Sequence, residues 1–317
     1  MKNPKNINSK AIIDIHTHAE GFDFANLLFG GYPFSLSAVQ LSKILSENNI
    51  DFSVVFPFPT PCYFNYNIYW QTKKYVPSLL DDFPFHKENE YLLGTIESFK
   101  LDNLLPLLSI SFQDKVDEQI KFLSNCLEKN RKIYGIKLHT SADNSSIYCL
   151  EKFEKLKEIA IKYNLPFLVH SGNETFSNPI EVLKVAKINP QIRFCIAHLG
   201  RLKKEFFQML DSDKFDNVFL DMAPFLFMCK NVDNSKQDIL DLNYKNPKEI
   251  FDWLFFKYKN KIIWGSDYPY VTSGSLKNSN IKKEDTYYSN EKQFLDTFNK
   301  KEKETICNIN SKKFLFG

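Results

Sequence analysis

Short apolar runs recur along the whole chain and are separated by segments with helical periodicity. The runs are apolar at odd and even positions alike, as expected of strands in a parallel sheet that is buried on both faces. We predict strands at 11–16, 52–57, 104–110, 133–139, 165–170, 192–198, 217–222 and 261–267. These runs are the predicted core of the fold.

The segments between these runs are predicted to be amphipathic helices. Residues 151–163 place apolar side chains on one stripe at helical spacing. Two further helices are predicted to begin at Pro179 and Pro247, because proline favours the first helical turn, and Asn246 is a candidate cap. Strands that alternate with helices form right-handed βαβ units and hence a parallel sheet.

Eight predicted strands match a closed (β/α)8 TIM barrel, and 317 residues suit one such domain over 1–317. The competing architecture is an open, doubly wound sheet. It is disfavoured because no glycine-rich phosphate-binding turn follows any predicted strand. Residues 58–104 interrupt the alternation. We predict a long loop insertion there, after the second strand, which would cover one end of the barrel as a lid.

The composition is that of a globular protein and excludes several classes of partner. The net charge of +3 is too small to predict binding to nucleic acid or to an anionic membrane. No run reaches the ~18 apolar residues of a membrane span, and the first residues lack the apolar segment of a signal peptide. The six cysteines show no paired spacing, which predicts reduced thiols. We therefore expect a cytoplasmic protein.

Five of the six histidines fall at the carboxyl ends of predicted strands. His16 and His18 end the first strand, and in a regular strand their side chains share one face. Other strand ends carry His139, His170, His198 and Asp267. The carboxyl ends of the strands are where TIM-barrel enzymes place their active sites. Only His86 lies elsewhere, and we assign it no role.

Each of these side chains also has a purely structural interpretation. A lone histidine after an apolar run is commonly a hydrogen-bonded core or rim residue, and Asp267 can be a turn residue before a proline. This interpretation must explain the shared position of all of them, so we favour a metal site. Imidazoles with a carboxylate suit Zn²⁺, Mn²⁺ or Fe²⁺ better than Ca²⁺ or Mg²⁺. Water bound to such a metal ionises near pH 7, against ~15.7 in bulk.

Five motifs in this order resemble the amidohydrolase superfamily, most closely its amidohydrolase-related ("amidohydrolase 2") branch. They are "DIHTH", "GIKLHT", "VHSG", "AHLGR" and "WGSDYP". The closing "NSKKFLFG" is similar to the usual tail of that branch. The resemblance covers nearly the whole chain. It implies a (β/α)8 barrel of the metal-dependent hydrolase type, with one or two divalent metals at the strand ends.

The resemblance also implies roles for individual residues. The metal ligands would be His16, His18, His170 and Asp267. Asp267 would in addition accept a proton from the bound water. His198 would be either a ligand of a second metal or an acid–base group that polarises the substrate carbonyl. We expect one metal per chain, Zn²⁺ first, with Mn²⁺ and Fe²⁺ as alternatives.

Lys137 bears on the number of metals. In binuclear members of the superfamily a lysine on this strand is carboxylated and bridges two metals, whereas in the mononuclear branch it carries no carboxyl group. We favour the mononuclear arrangement, with Lys137 and His139 lining the substrate pocket.

Three more residues are candidates around this pocket. The guanidinium of Arg201, directly after "AHLG", matches a substrate carboxylate, and a rim ion pair with Glu205 is the alternative. Tyr268 is expected to face the pocket. Asp221, on the seventh strand, is a weaker candidate for orienting a ligand histidine through a hydrogen bond.

Two enzymatic functions remain open. The first is a metal-dependent hydrolase of a small amide, ester or lactone that carries a carboxylate. The alternative is a metal-dependent, non-oxidative decarboxylase (a lyase) of a small aromatic or unsaturated carboxylic acid. A non-catalytic barrel is disfavoured because the ligand set is intact, and a DNA-processing phosphoesterase is disfavoured by the lack of net basicity. Since family members often pair through outer helices, we expect a homodimer.

Overall fold

The computed structural model describes residues 7–21, 35–58, 68, 71–72, 82–143, 145–173, 175–231, 238–269 and 286–317. Within them, eight strands form one sheet in chain order, each parallel to the next. The strands are β1 (Ile13–His18), β2 (Phe52–Phe56), β3 (Leu104–Ile110), β4 (Gly135–Leu138), β5 (Phe167–Val169), β6 (Phe194–Ile196), β7 (Val218–Asp221) and β8 (Ile262–Ile263).

The sheet closes on itself just beyond β8. The amide of Asp267 donates to the carbonyl oxygen of His16 at 2.9 Å, and the amide of His18 donates to the carbonyl oxygen of Tyr268 at 2.8 Å. The chain after β8 is therefore bonded to β1. Together with the surrounding helices, this closed parallel sheet is a (β/α)8 TIM barrel, which confirms the predicted fold class.

Helices connect the strands and cover the outside of the barrel. The α-helices are α1 (Ala38–Glu47), α2 (His86–Phe99), α3 (Val116–Glu128), α4 (Thr140–Asp143), α5 (Leu150–Lys162), α6 (Pro179–Ile188), α7 (Lys204–Ser212), α8 (Phe225–Asn231), α9 (Pro247–Tyr258), α10 (Thr286–Asp296), α11 (Lys300–Glu304) and α12 (Asn310–Phe316). A π-helical turn, Thr305–Ile309, joins the last two. One apolar cluster fills the barrel interior, and a larger one lies between the sheet and the helices.

The predicted proline starts of two helices are confirmed. The side chain of Asn178 accepts a hydrogen bond from the amide of Ile180, immediately before Pro179 opens α6. Asn246 caps α9 in the same way, by accepting from the amide of Glu249. These side chains satisfy amides that have no partner inside the first helical turn.

All eight predicted strands are present, with different bounds. β1 begins two residues later than predicted, and β8 is much shorter than the predicted 261–267. The reason at β8 is local: the amide of Ser266 donates to the side chain of Asp14 at 3.0 Å rather than to a neighbouring strand. The backbone then turns at Asp267, where φ is 59°.

The segment 58–104 is not one long loop. Its second half contains α2, the helix that connects β2 to β3. Asn89 fixes this helix on the barrel, because its side chain accepts from the amide of Ser109 and donates to the Ser109 carbonyl. The predicted lid falls largely on residues 59–67, 69–70 and 73–81, which lie outside the described residues.

Two general expectations can be compared with the structure. Among the described residues, none of the helices combines the length and the apolar character needed to cross a membrane. The cysteines in the described part of the chain are free thiols: Cys126, Cys149, Cys195, Cys229 and Cys307. Cys62 lies outside the described residues.

Candidate metal centre

His16 and His18 point at one atom. Nε2 of His16 lies 3.2 Å from Oδ1 of Asp267, and Nε2 of His18 lies 3.3 Å from the same oxygen. The register of β1 against β2 shifts between Asp14 and Thr17, so β1 is not a regular strand here. The two closing hydrogen bonds, from Asp267 to His16 and from His18 to Tyr268, nevertheless bring both rings to the carboxylate.

The backbone just before Asp267 packs so closely against β1 and β7 that Gly265 has no room for a side chain. A Cβ atom added to Gly265 would lie 2.8 Å from Oδ1 of Asp221 and 3.0 Å from Cβ of His16. Glycine is therefore required for the chain after β8 to approach β1 and β7 this closely.

The carboxyl end of β6 forms a left-handed turn. Five consecutive residues, from His198 to Leu202, have φ between 49° and 59°. Each non-glycine residue in this conformation costs about 1–2 kcal/mol. Buried Leu199 and Leu202 anchor the turn, and the carbonyl of Leu202 accepts from the amide of Leu240 at 2.9 Å. Strain of this kind is common where a side chain must be aimed at a functional site.

This turn brings His198 to the other two groups. One ring nitrogen of His16, one of His198 and a carboxylate oxygen of Asp267 all lie within 4.8 Å of one another. Nδ1 of His198 donates to the carbonyl oxygen of Ala223 at 2.6 Å. The neutral ring therefore carries only a lone pair on Nε2, which can bind a metal or accept a proton.

His170 and His139 form a second layer beside this group. Nδ1 of His170 lies 3.1 Å from Nε2 of His198, and the rings of His139 and His170 stack with centroids 4.1 Å apart. Nδ1 of His139 accepts from the amide of Ala142. Both rings are partly exposed, whereas His16, His18 and His198 are buried.

The charge states suit a metal. Burial lowers the pKa of His18 to about 3 and that of His198 to about 4, so both rings are neutral at pH 7. Burial also holds the pKa of His170 well below its ordinary value. Burial would raise the pKa of Asp267, but the neighbouring His16 outweighs it and holds this pKa well below the ordinary value. The neutral rings of His18 and His198 and the ionised carboxylate of Asp267 are donors that suit a transition metal.

His16 differs from the other histidines. Burial and the charge of Lys137 lower its pKa, but the carboxylates of Asp221 and Asp267 outweigh them, and the net pKa is raised. Nδ1 of His16 bonds to Oδ2 of Asp221 at 2.5 Å, which directs Nε2 towards Asp267. The hydrogen bond suggested for Asp221 is therefore present, and it is made to a histidine of this group.

Lys137 is a buried cation beside the histidines. Its side chain is 1% exposed, and Nζ has no hydrogen-bond partner among the described residues. Nζ lies 4.5 Å from the centre of the Phe56 ring, which in turn contacts the rings of His16 and His18 edge-on. Burial lowers the pKa of Lys137 to about 8. Lys137 therefore places a buried amine beside the Phe56 ring and the two histidines that this ring contacts.

The two remaining candidates occupy different positions. Arg201 lies in the left-handed turn three residues after His198 and is partly exposed. After burial and the other charges, it contributes to the lowered pKa of His170 and His198. Tyr268 is 7% exposed, and its ring packs edge-on against the ring of Tyr288 at 5.1 Å.

Some residues of the centre were not predicted. Asp14 is fully buried, and its carboxylate accepts from the amides of His16 and Ser266. An acidic residue two positions before His16, inside an apolar strand, is a signal that sequence reasoning could have used. Gly265 had no comparable signal, because its role depends on neighbours from β1 and β7.

A family model and several solved structures resemble this chain. The model described as amidohydrolase matches residues 114–317, well over half of the chain. The chain belongs to the amidohydrolase family. A search of curated proteins finds no significant match. As a member of this family the protein is an enzyme, and the family's divalent metals are consistent with the group formed by His16, His198 and Asp267.

Three solved structures share the fold of this amidohydrolase-family enzyme. One, from Acinetobacter baumannii, is assigned as a 2-pyrone-4,6-dicarboxylic acid hydrolase (16% identity, TM-score 0.58, 96% and 98% of the two chains covered). A 5-carboxyvanillate decarboxylase from Novosphingobium aromaticivorans, complexed with manganese, has 10% identity and a TM-score of 0.63, with 96% of each chain covered. A 4-oxalomesaconate hydratase from Rhodopseudomonas palustris has 16% identity and a TM-score of 0.59 (96% and 95% covered).

Proposed function

We propose that this amidohydrolase-family enzyme is a metal-dependent hydrolase of a small amide, ester or lactone that carries a carboxylate. The observation that carries the proposal is the convergence of His16 and His18 on Oδ1 of Asp267, at 3.2 and 3.3 Å. The nearby Nε2 of His198 supports it, because three nitrogen donors and one oxygen donor suit a transition metal.

One divalent metal per chain is proposed, held by three fixed ligands and one of two histidines. The fixed ligands are His16, His18 and Asp267. Sequence motifs assign the remaining position to His170 and proton transfer to His198. The grouping of His198 with His16 and Asp267 supports the reverse assignment, since its Nε2 carries a lone pair. When bound, the metal supplies a Lewis acid for the substrate carbonyl and for water.

The chain itself supplies the proton transfers. Asp267 is ionised at neutral pH, so its carboxylate can accept the proton of the attacking water. The ring of His170 or His198 that is not a ligand is neutral, so it would first take up the proton that Asp267 accepts and then give that proton to the leaving group.

Zinc is the proposed metal, because imidazole nitrogens with one carboxylate are its usual ligands in hydrolases. Manganese is the alternative, since the 5-carboxyvanillate decarboxylase of the same fold was solved with manganese. Lys137 is proposed to carry no carboxyl group, which leaves its ammonium available to substrate.

The substrate is proposed to be anionic. Arg201 and Lys137 supply two positive charges, and the partly exposed His139 is proposed to line the substrate pocket. An arginine fork binds a carboxylate through two parallel hydrogen bonds. Tyr268 is proposed to line the same pocket.

Decarboxylation is the second candidate. A buried ammonium at Lys137 favours binding of a substrate carboxylate next to the metal. The bond between that carboxylate and the rest of the substrate could break there. Two solved structures of the same fold, from Polaromonas and Novosphingobium, are named as decarboxylases of aromatic acids. The donor set is the same for both reactions.

A substrate panel separates the two reactions. Zinc- and manganese-loaded protein is assayed against lactones, amides, esters and aromatic carboxylic acids, with proton release and carbon dioxide followed together. We expect proton release from a carboxylate-bearing lactone or ester, or release of an amine from an amide, lost in Asp267→Asn and kept in the surface control Asp117→Asn. Release of carbon dioxide instead would establish the decarboxylase. Wild-type protein that binds no divalent metal would overturn both.

A further inference from the structure

The carboxylate of Asp14 connects the two segments that carry His16 and Asp267. Asp14 is fully buried on β1, two residues before His16. Its Oδ1 accepts from the amide of His16 at 3.1 Å and from the amide of Ser266 at 3.0 Å. One oxygen atom therefore joins the backbone that carries His16 to the backbone that carries Asp267.

Tyr288 holds the other oxygen of this carboxylate. Its hydroxyl donates to Oδ2 of Asp14 at 3.0 Å, and its side chain is 2% exposed. The ring of Tyr288 also packs edge-on against Tyr268, the residue after Asp267. Helix α10 thus contacts the segments of both proposed ligands through a single side chain.

Ser266 completes the connection. Its hydroxyl accepts from the amide of Tyr268 at 3.1 Å, while its own amide is the one bound to Asp14. The orientation of Asp267 therefore depends on hydrogen bonds on both sides of it. A rotation of the Asp14 carboxylate would move the amides of His16 and Ser266 together.

We propose that Asp14, oriented by Tyr288, is a positioning residue that sets the spacing between His16 and Asp267 for metal binding. The inference rests on the proposed metal-dependent function. Groups that orient metal ligands without touching the metal change its affinity by about 10- to 100-fold when they are removed.

The test uses Tyr288→Phe, which removes only the hydroxyl, and Asp14→Asn, which keeps one acceptor oxygen. The matched control is Tyr258→Phe. It removes another tyrosine–aspartate hydrogen bond, from the hydroxyl of Tyr258 to Asp211 at 2.8 Å, on the outer helix α9. Zinc affinity is measured by chelator competition, the cobalt(II) form is examined by visible absorption, and melting temperatures are recorded without metal.

We expect Tyr288→Phe and Asp14→Asn to lower zinc affinity about tenfold or more and to change the cobalt absorption bands. Tyr258→Phe should do neither, although it too loses a tyrosine–aspartate hydrogen bond and its metal-free melting temperature falls. Equal zinc affinity and unchanged cobalt bands in Tyr288→Phe would overturn the inference. So would a loss of affinity in all variants that follows their melting temperatures.

The same experiment separates this inference from the proposed hydrolase. Wild-type protein that binds zinc but hydrolyses none of the panel would refute the hydrolase and leave the positioning role of Asp14 intact. Wild-type protein that binds neither zinc nor cobalt would refute both.

Discussion

Oδ2 of Asp221 lies 2.5 Å from Nδ1 of His16, and the opposite nitrogen of the same ring lies 3.2 Å from Asp267. The imidazole is thus held between two carboxylates, one on β7 and one just after β8. Asp221 fixes the ring orientation and keeps the proton on Nδ1, which leaves Nε2 for the centre.

Replacing Asp221 by asparagine should weaken metal binding. The asparagine side chain is uncharged, so it accepts the hydrogen bond from Nδ1 of His16 more weakly than the carboxylate does. We therefore expect zinc affinity to fall about 10- to 100-fold. Chelator competition measures the change. Asp211→Asn, which loses a hydrogen bond to Tyr258 outside the centre, should keep wild-type affinity. Equal affinities in Asp221→Asn and wild type would contradict the role given to Asp221.

Alanine variants of His170 and His198 should behave differently from each other. The variant that loses a ligand should bind metal much more weakly. The other should keep metal and lose about 10²- to 10⁴-fold in kcat, which is the usual contribution of an acid–base group. Metal content by elemental analysis and kcat on the same preparations decide between them. His86→Ala, which alters a histidine bonded to Asp82 outside the centre, is the control.

If both variants lose metal equally, the single-metal arrangement with one acid–base histidine is wrong. That result would favour a second metal, and the mass of intact protein would then show whether Lys137 carries a carboxyl group. Without an added carboxyl mass, His198 would be the ligand of that second metal.

Arg201→Lys should raise the KM of a carboxylate-bearing substrate about tenfold and leave kcat nearly unchanged, because lysine cannot reproduce the bidentate fork. Substrate analogues without the carboxylate should have the same, high KM with wild type and with Arg201→Lys. Arg131→Lys is the matched control, since Arg131 pairs with Glu90 and Glu97 on the outer helix α2. An unchanged KM in Arg201→Lys would show that the rim arginine does not bind the substrate anion.

Asp143 should make stability depend on pH. Burial raises its pKa to about 8 from the ordinary aspartate value of 3.8. Between these two values the folded protein keeps a proton that the unfolded chain releases, so the free energy of unfolding falls as pH rises from about 4 to 8. The loss is on the order of a few kcal/mol.

Asp143→Asn should remove this dependence, because an amide stays neutral. Urea unfolding at pH 5, 7 and 8.5 gives the comparison, with wild type losing stability relative to the variant as pH rises. Asp117→Asn, at an exposed ion pair with Lys155, should follow wild type. A constant difference between Asp143→Asn and wild type at all three pH values would exclude a titrating Asp143.

The barrel and most of its centre could be predicted because their signals are local. The apolar runs gave all eight strands, and the positions of His16, His18, His139 and His170 follow from strand ends. His198 and Asp267 were predicted as the last residues of their strands, but the strands end before them. Both lie beyond their strands on left-handed backbone, where φ is 58° and 59°, and no periodicity predicts that geometry.

Other features depend on contacts between distant segments, and local pattern does not contain them. The tie between Asp14 and Tyr288 joins residues 274 positions apart. Helix α2 was not predicted, because it has few apolar positions and the residues before it are rich in proline and aromatic side chains. The whole segment 58–104 was therefore predicted to be a loop. The exchange of roles proposed for His170 and His198 depends on which nitrogen of His198 carries the proton. That nitrogen is Nδ1, because it donates to the carbonyl oxygen of Ala223, a contact that the sequence does not predict.

The seam between β1 and the chain after β8 has a consequence for biosynthesis. His16 emerges from the ribosome early, yet its backbone partner Ser266 lies 250 residues later. A growing chain therefore cannot assemble the cation pocket until nearly all of the barrel has been made. Metal binding should therefore be a late step in the folding of this enzyme. Incomplete chains should bind no metal ion that could catalyse side reactions.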